Sequence, residues 1–159
     1  MSFFSIIRNP IKFRLFLLTK LPSAYFSGVR VKDANEERAV VTVPYKWFST
    51  NPFKSTYFAC LSMAAEMSTG VLALANIYGR KPSVSMLVLK IEGNFYKKAT
   101  GISTFTCSDG KAVQQAVQQA INTGEGTQVT MNAMGTNEKG EIIAEFNITW
   151  SFKAKSASR

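Results

Sequence analysis

Residues 55 to 79 read STYFACLSMAAEMSTGVLALANIYG, an unbroken run of small and apolar side chains in which Glu66 is the one charge between Lys54 and Arg80. So long a run exceeds any ordinary strand and predicts a single helix over 55–79. Ser55 and Thr56 can accept from free backbone N–H groups at its start, and Gly79 followed by Arg80-Lys81-Pro82 punctuates its end. Apolar residues all round call for burial on most sides, and the Ala, Ser and Gly positions let other backbone approach closely. Glu66, Asn76 and the hydroxyls argue against a membrane span.

Working outward, Val84 to Tyr96 alternates with Leu87, Leu89 and Ile91 on one face, and Thr100 to Cys107 follows as a strand after the Lys97-Lys98 turn. Gly110-Lys111 leads into a helix over Ala112 to Asn122, with Val113, Ala116, Val117, Ala120 and Ile121 as its apolar stripe. Gln128 to Met134 and Ile142 to Phe152 form a hairpin around Asn137-Glu138-Lys139-Gly140, the second strand alternating strictly from Ile142 to Phe152. Upstream, a basic amphipathic helix covers about Ile11 to Leu21 and is closed by Pro22. Two short strands, Gly28 to Lys32 and Arg38 to Val43, then flank the polar turn Lys32 to Glu37, and Pro44 ends the second. Antiparallel strands around one very apolar helix predict an α+β hotdog fold, a curved sheet wrapped around the 55–79 helix, as one domain over residues 1–159. A second subunit is expected on the side of the helix that the sheet leaves open.

The sequence contains no histidine, which excludes Ser-His-Asp and Cys-His catalysis and His-ligated zinc, and two cysteines alone make a poor metal site. No metal and no cofactor are expected, and acid–base work falls to Asp, Glu, Lys or Tyr. Cys60 and Cys107 read as buried, reduced thiols. The net charge of +9 is concentrated at the start: residues 1 to 32 carry Arg8, Lys12, Arg14, Lys20, Arg30 and Lys32 with no acid. Elsewhere the basic residues are scattered or form the pairs Arg80-Lys81 and Lys97-Lys98; the charge reads as solvated surface or, for one of those pairs, as a phosphate or CoA contact, and no nucleic-acid motif accompanies it. The segment from Met1 to Leu21 lacks both a membrane-length apolar run and a clean signal-peptide core, so a cytoplasmic location is expected and the helix is expected to pack on its own domain rather than on a membrane.

Asn51, Tyr57-Phe58-Ala59, Glu66 and Gly70 carry a resemblance to the hotdog thioesterase superfamily, in particular the phenylacetyl-CoA type and a related branch known only as a domain of unknown function. That pattern has an Asn, a His-Gly-Gly six residues later at the helix start, an acid nine residues beyond the His, and a Gly four further on. Here the His-Gly-Gly is Tyr57-Phe58-Ala59. Asn94 to Gly101 and Asp109-Gly110-Lys111 extend the similarity, which covers about residues 20 to 153. The resemblance implies hydrolysis of an acyl-CoA or acyl-carrier thioester by a homodimer, possibly paired into tetramers. It implies backbone N–H groups of Phe58 and Ala59 as oxyanion donors and Glu66 as general base or nucleophile. Thr69 would orient the water or the carboxylate, and Asn51 would brace the loop or hydrogen-bond the thioester. Tyr57, Arg80, Lys97 and Lys98 stand as substrate contacts. The alternative is a non-catalytic acyl-CoA or lipid-binding hotdog module; hotdog dehydratases need the missing histidine.

Glu66 also stands out without the resemblance. A lone carboxylate in an apolar helix costs several kcal/mol unless paired, hydrogen-bonded or protonated, and the residues one turn away, Ser62, Met63, Thr69 and Gly70, include no cation. Burial raises such a pKa, which suits a base working near neutrality. Glu66 lies eight residues beyond Phe58, about 12 Å along one helix. The oxyanion donors and the acid acting on one carbonyl are therefore expected to come from two protomers.

Overall fold

The computed structural model describes residues 3–155. Three short helices open the chain: α1 (Phe3–Ile7), α2 (Pro10–Lys20) and α3 (Pro22–Ser27). The Asn9 side chain accepts from Lys12 N and starts α2. Phe13 and Leu17 bury its inner face, while Ile11, Leu15 and Leu18 remain exposed. Pro22 ends α2 as expected but also opens α3, because the first position of a helix needs no N–H. Left-handed Gly28 (φ 81°) then closes α3. The first strand therefore starts later than the sequence suggests: β1 is Arg30–Ala34 and β2 is Ala39–Val43. The turn between them shortens to four residues around Asn35, whose side-chain oxygen accepts from Glu37 N and Arg38 N.

The central helix, α4, spans Phe58–Ile77, beginning three residues after Ser55. Neither Ser55 nor Thr56 caps it. Thr56 gives both its N–H (2.7 Å) and its hydroxyl (3.1 Å) to the Ala99 carbonyl, and Ser55 is held by Asn51. Tyr57 occupies the cap position without a side-chain cap bond. At the other end left-handed Gly79 (φ 70°) stops the helix as the sequence predicts. This helix is long and apolar enough to cross a membrane, but it is the one the sheet wraps, with Leu61, Ala64, Ala65, Leu72 and Ala73 in the core.

The remaining elements are β3 (Val84–Phe95), β4 (Ser103–Cys107), α5 (Gly110–Thr123), β5 (Thr127–Thr136) and β6 (Ile142–Ala154). All strand pairs are antiparallel, in the order β1-β2-β4-β5-β6-β3. The Lys97-Lys98 turn is thus not a hairpin; it starts the passage from the β3 edge to the middle of the sheet. Ala144, Phe146, Ile148, Trp150 and Phe152 of β6 are buried against α4 and α5, as the period-two pattern requires, and the stripe Val113, Ala116, Val117 and Ala120 buries α5. This is the hotdog arrangement.

One expectation fails along β3. Leu87, Leu89 and Ile91 do not share a face, because a register shift between Val88 and Lys90 inserts a bulge at Leu89. Leu87 lies opposite Ser151 on the outer face, whereas Ile91 lies opposite Ile148 on the inner face. Both stay exposed, at 64% and 48%, on an edge strand paired only with β6.

Candidate functional site

The loop before α4 is built on Asn51. Its side-chain oxygen accepts from Phe53 N (2.9 Å) and Ser55 N (3.2 Å), and its amide donates to Ser55 Oγ (3.0 Å). The Tyr57 N–H donates to the Ser49 carbonyl at 2.7 Å. Together with the Thr56 bonds to Ala99, these contacts place the first turn of α4 at the rim of an open cavity of about 570 Å³, which Asn51, Tyr57, Phe58, Phe95, Lys97 and Lys98 help to line. Phe58 and Ala59 lie in that first turn, so their N–H groups have no intrahelical acceptor, and Tyr57 provides none from its side chain. Two amides that meet no acceptor among the described residues, at the positive end of a 20-residue helix, are suited to a developing oxyanion. Phe58 is 56% exposed, and its ring packs edge-on against Tyr57 at 4.9 Å.

Glu66 lies elsewhere. Its half-buried carboxylate faces an apolar pocket of about 150 Å³ in which it is the one charged group. Gly70, one turn on, makes the space: a Cβ there would stand 3.1 Å from Glu66 Oε1 and 3.3 Å from the Trp150 ring. Among the described residues no hydrogen-bond or ion-pair partner reaches the carboxylate, and burial holds its pKa above the usual carboxylate value. Thr69 is fully buried and turns away from it. The Thr69 hydroxyl donates to the Glu66 backbone carbonyl (2.9 Å) and accepts from the Trp150 indole N–H (2.9 Å).

Sequence reading missed the far wall of this pocket. Phe3 of α1 and Phe13 and Phe16 of α2 line it, with Leu21 beside them, and leave it partly open. Along Glu66 to Leu74, the chain's own N-terminal helices thus face part of the helix side on which the sequence leads one to expect a second subunit. The apolar spacing of Phe13, Phe16 and Leu17 signalled a packing face but not its target.

The expected cationic contacts do not converge. Lys97 and Lys98 sit at the α4 N-terminus, where Lys97 pairs with Glu141 (2.6 Å) and holds that carboxyl below its usual pKa; Lys98 reaches the Phe53 carbonyl at 3.5 Å. Arg80 lies beyond the other end of α4, about 30 Å away by helix rise, with its Nε donating to the Asn76 carbonyl. Both thiols are buried and outside any disulfide, and desolvation pushes Cys107 up to about 12, far from a nucleophilic thiolate at neutral pH.

The family model described as a domain of unknown function, DUF4442, matches residues 12–152. Solved structures share the fold at low identity. A protein of unknown function from Pseudomonas aeruginosa, called a probable thioesterase, is 20% identical with a TM-score of 0.77, over 92% of this chain and 97% of that one. A protein of unknown function from Chlorobaculum tepidum is 14% identical with a TM-score of 0.76, over 92% and 97%. A thioesterase from Haemophilus influenzae is 14% identical with a TM-score of 0.67, over 92% and 91%. No curated protein matches the chain.

Proposed function

Given that the chain belongs to the DUF4442 family of domains of unknown function, we propose that it hydrolyses an acyl-CoA or acyl-carrier thioester with Glu66 as its base. The supporting observation is the Glu66 carboxylate: half-buried, unpaired, raised in pKa and facing an apolar pocket. In the proposed reaction Glu66 takes a proton from water, the water oxygen bonds to the thioester carbon, and the oxyanion rests on the Phe58 and Ala59 N–H groups. The C–S bond then breaks and the proton passes to the leaving thiolate, yielding acid and thiol. Direct attack by the carboxylate is the competing route. A single turnover in ¹⁸O water tests the second route: the base mechanism places the label in the released acid and none in the protein, whereas attack by Glu66 followed by water opening the mixed anhydride at the glutamyl carbon places it in the Glu66 carboxylate.

The distance of about 12 Å between Phe58 and Glu66 along one helix supports a site whose donors and base come from two copies of the chain. The β3 edge supports a second copy as the partner. It combines an unpaired strand edge with exposed Leu87, Leu89, Ile91 and Phe95, a combination that monomers avoid. Light scattering is expected to report a dimer, and Ile91→Lys to shift it to monomer with loss of turnover. A wild-type monomer that hydrolyses thioesters would overturn the two-chain site.

The test of the function is thiol release from a panel of acyl-CoA substrates, short to long and aromatic. Tight acyl-CoA binding without turnover would mark the chain instead as an acyl-binding module.

A further inference from the structure

We propose that the cleft between the N-terminal helices and β1 binds a phosphate group. Arg8, Arg14, Arg30 and Lys32 line one cavity of about 470 Å³ there, against a single acid, Asp33. Four positive groups and one negative leave a net +3 (4 − 1) around it. None of the four forms a salt bridge among the described residues. Chains normally disperse such charge or pair it, because like charges at close quarters repel. Arg8 also borders a second cavity with Glu36 and Glu37, of which Glu37 is paired with Lys111 at 3.0 Å, so the positive character of the cleft rests chiefly on Arg14, Arg30 and Lys32.

Arg14 makes the cleft more than a basic surface. Its guanidinium lies 3.9 Å over the Tyr25 ring, which holds the planar fork in place. Its Nη1 is buried and has no hydrogen-bond acceptor, the one such side-chain atom among the described residues. That atom has no accessible surface, so it is sealed from the cleft, and Arg14 borders the cavity with the rest of its side chain. A fixed guanidinium fork with further cations around it matches a phosphate, whose several oxygens accept in the geometry the fork presents. Phe13 lines both this cleft and the Glu66 pocket, so a ligand bound here would lie against the wall of that pocket.

This inference does not depend on the reaction proposed for Glu66, since its readout is binding. Calorimetric titration of the full chain with pyrophosphate and with adenosine 3′,5′-bisphosphate tests a soluble phosphate. Co-sedimentation with phosphatidic acid vesicles in phosphatidylcholine tests a lipid headgroup. At least one probe is expected to bind, and Arg14→Gln and Arg30→Gln each to weaken it by about tenfold or more. Lys139→Gln, which removes a charge outside the cleft, is expected to leave binding unchanged. Arg30 is exposed, so its variant keeps the test valid if Arg14→Gln fails to fold. Vesicle binding alone, lost in both variants, keeps the site and assigns the phosphate to a lipid. The proposal is overturned if no probe binds the wild type at millimolar concentration, or if both variants bind as well as it does.

Discussion

Glu66→Gln is expected to lower thioester turnover by about 10²- to 10⁴-fold, the usual contribution of a positioned general base, and at the same time to raise the melting temperature at neutral pH. Both effects come from one cause. The apolar pocket desolvates the carboxylate and offers it no partner, so the charged form is held at a cost and the folded-state pKa lies above the unfolded value. A group with a raised folded pKa supports the fold fully below the unfolded pKa, and that support is lost as pH rises through the folded one. Glutamine fits the same space without a charge. Its advantage in melting temperature is therefore expected at neutral pH and to vanish at a pH below the ordinary value of 4.5. Wild-type turnover should fall on the acid side as the base is protonated, with a midpoint above that of an ordinary carboxylate. Melting curves and initial rates of the two proteins across pH check the whole argument. Equal turnover in the variant would remove Glu66 from the chemistry, and a lower melting temperature would mean that an unseen partner stabilises the charge.

Phe146→Ala is expected to destabilise the fold by about 3–5 kcal/mol, a large share of the roughly 5–15 kcal/mol that a domain has in total. Phe146 is 2% exposed in the middle of β6, with its ring 5.5 Å from Phe95 and 5.8 Å from Phe105, both edge-on. Gly93 on β3 leaves the space it fills: a Cβ there would stand 2.7 Å from the ring. Removing the ring opens a cavity that touches β3, β4 and β6 together, and the backbone can collapse only by breaking the strand ladder. Urea denaturation of wild type and variant measures the loss; a change below about 1 kcal/mol would mean that the neighbouring rings close the gap.

Gly70, Asn51 and Thr69 hold their places for different physical reasons. Gly70 is spaced one turn from Glu66 in any helix, and the structure supplies the reason, since its missing Cβ leaves room for the carboxylate oxygen and the Trp150 ring. Asn51 was equally open to bracing the loop or touching substrate. Its bonds to Phe53 and Ser55 place it in the loop that sets the start of α4. Thr69 was expected beside the reacting groups but is held by Trp150, a partner 81 residues away that no local pattern can indicate.

What the residues determine by themselves is local and periodic. The apolar run ending at Gly79, the alternation of β6 and the stripe on α5 each follow from backbone geometry repeated over neighbours in the chain, and all three recur in the fold. So does the isolation of Glu66, because one-turn neighbours are known once the helix is. Tertiary structure alone decided the rest. The true start of α4 depends on Ala99 capturing Thr56, and the bulge that splits Leu87 from Ile91 depends on the register with β6. The wall of the Glu66 pocket and the gathering of Arg8, Arg14, Arg30 and Lys32 depend on where three short N-terminal helices come to rest. These are contacts between residues far apart in sequence, whose pairing is chosen by the total packing of the chain and leaves no periodic trace in either partner.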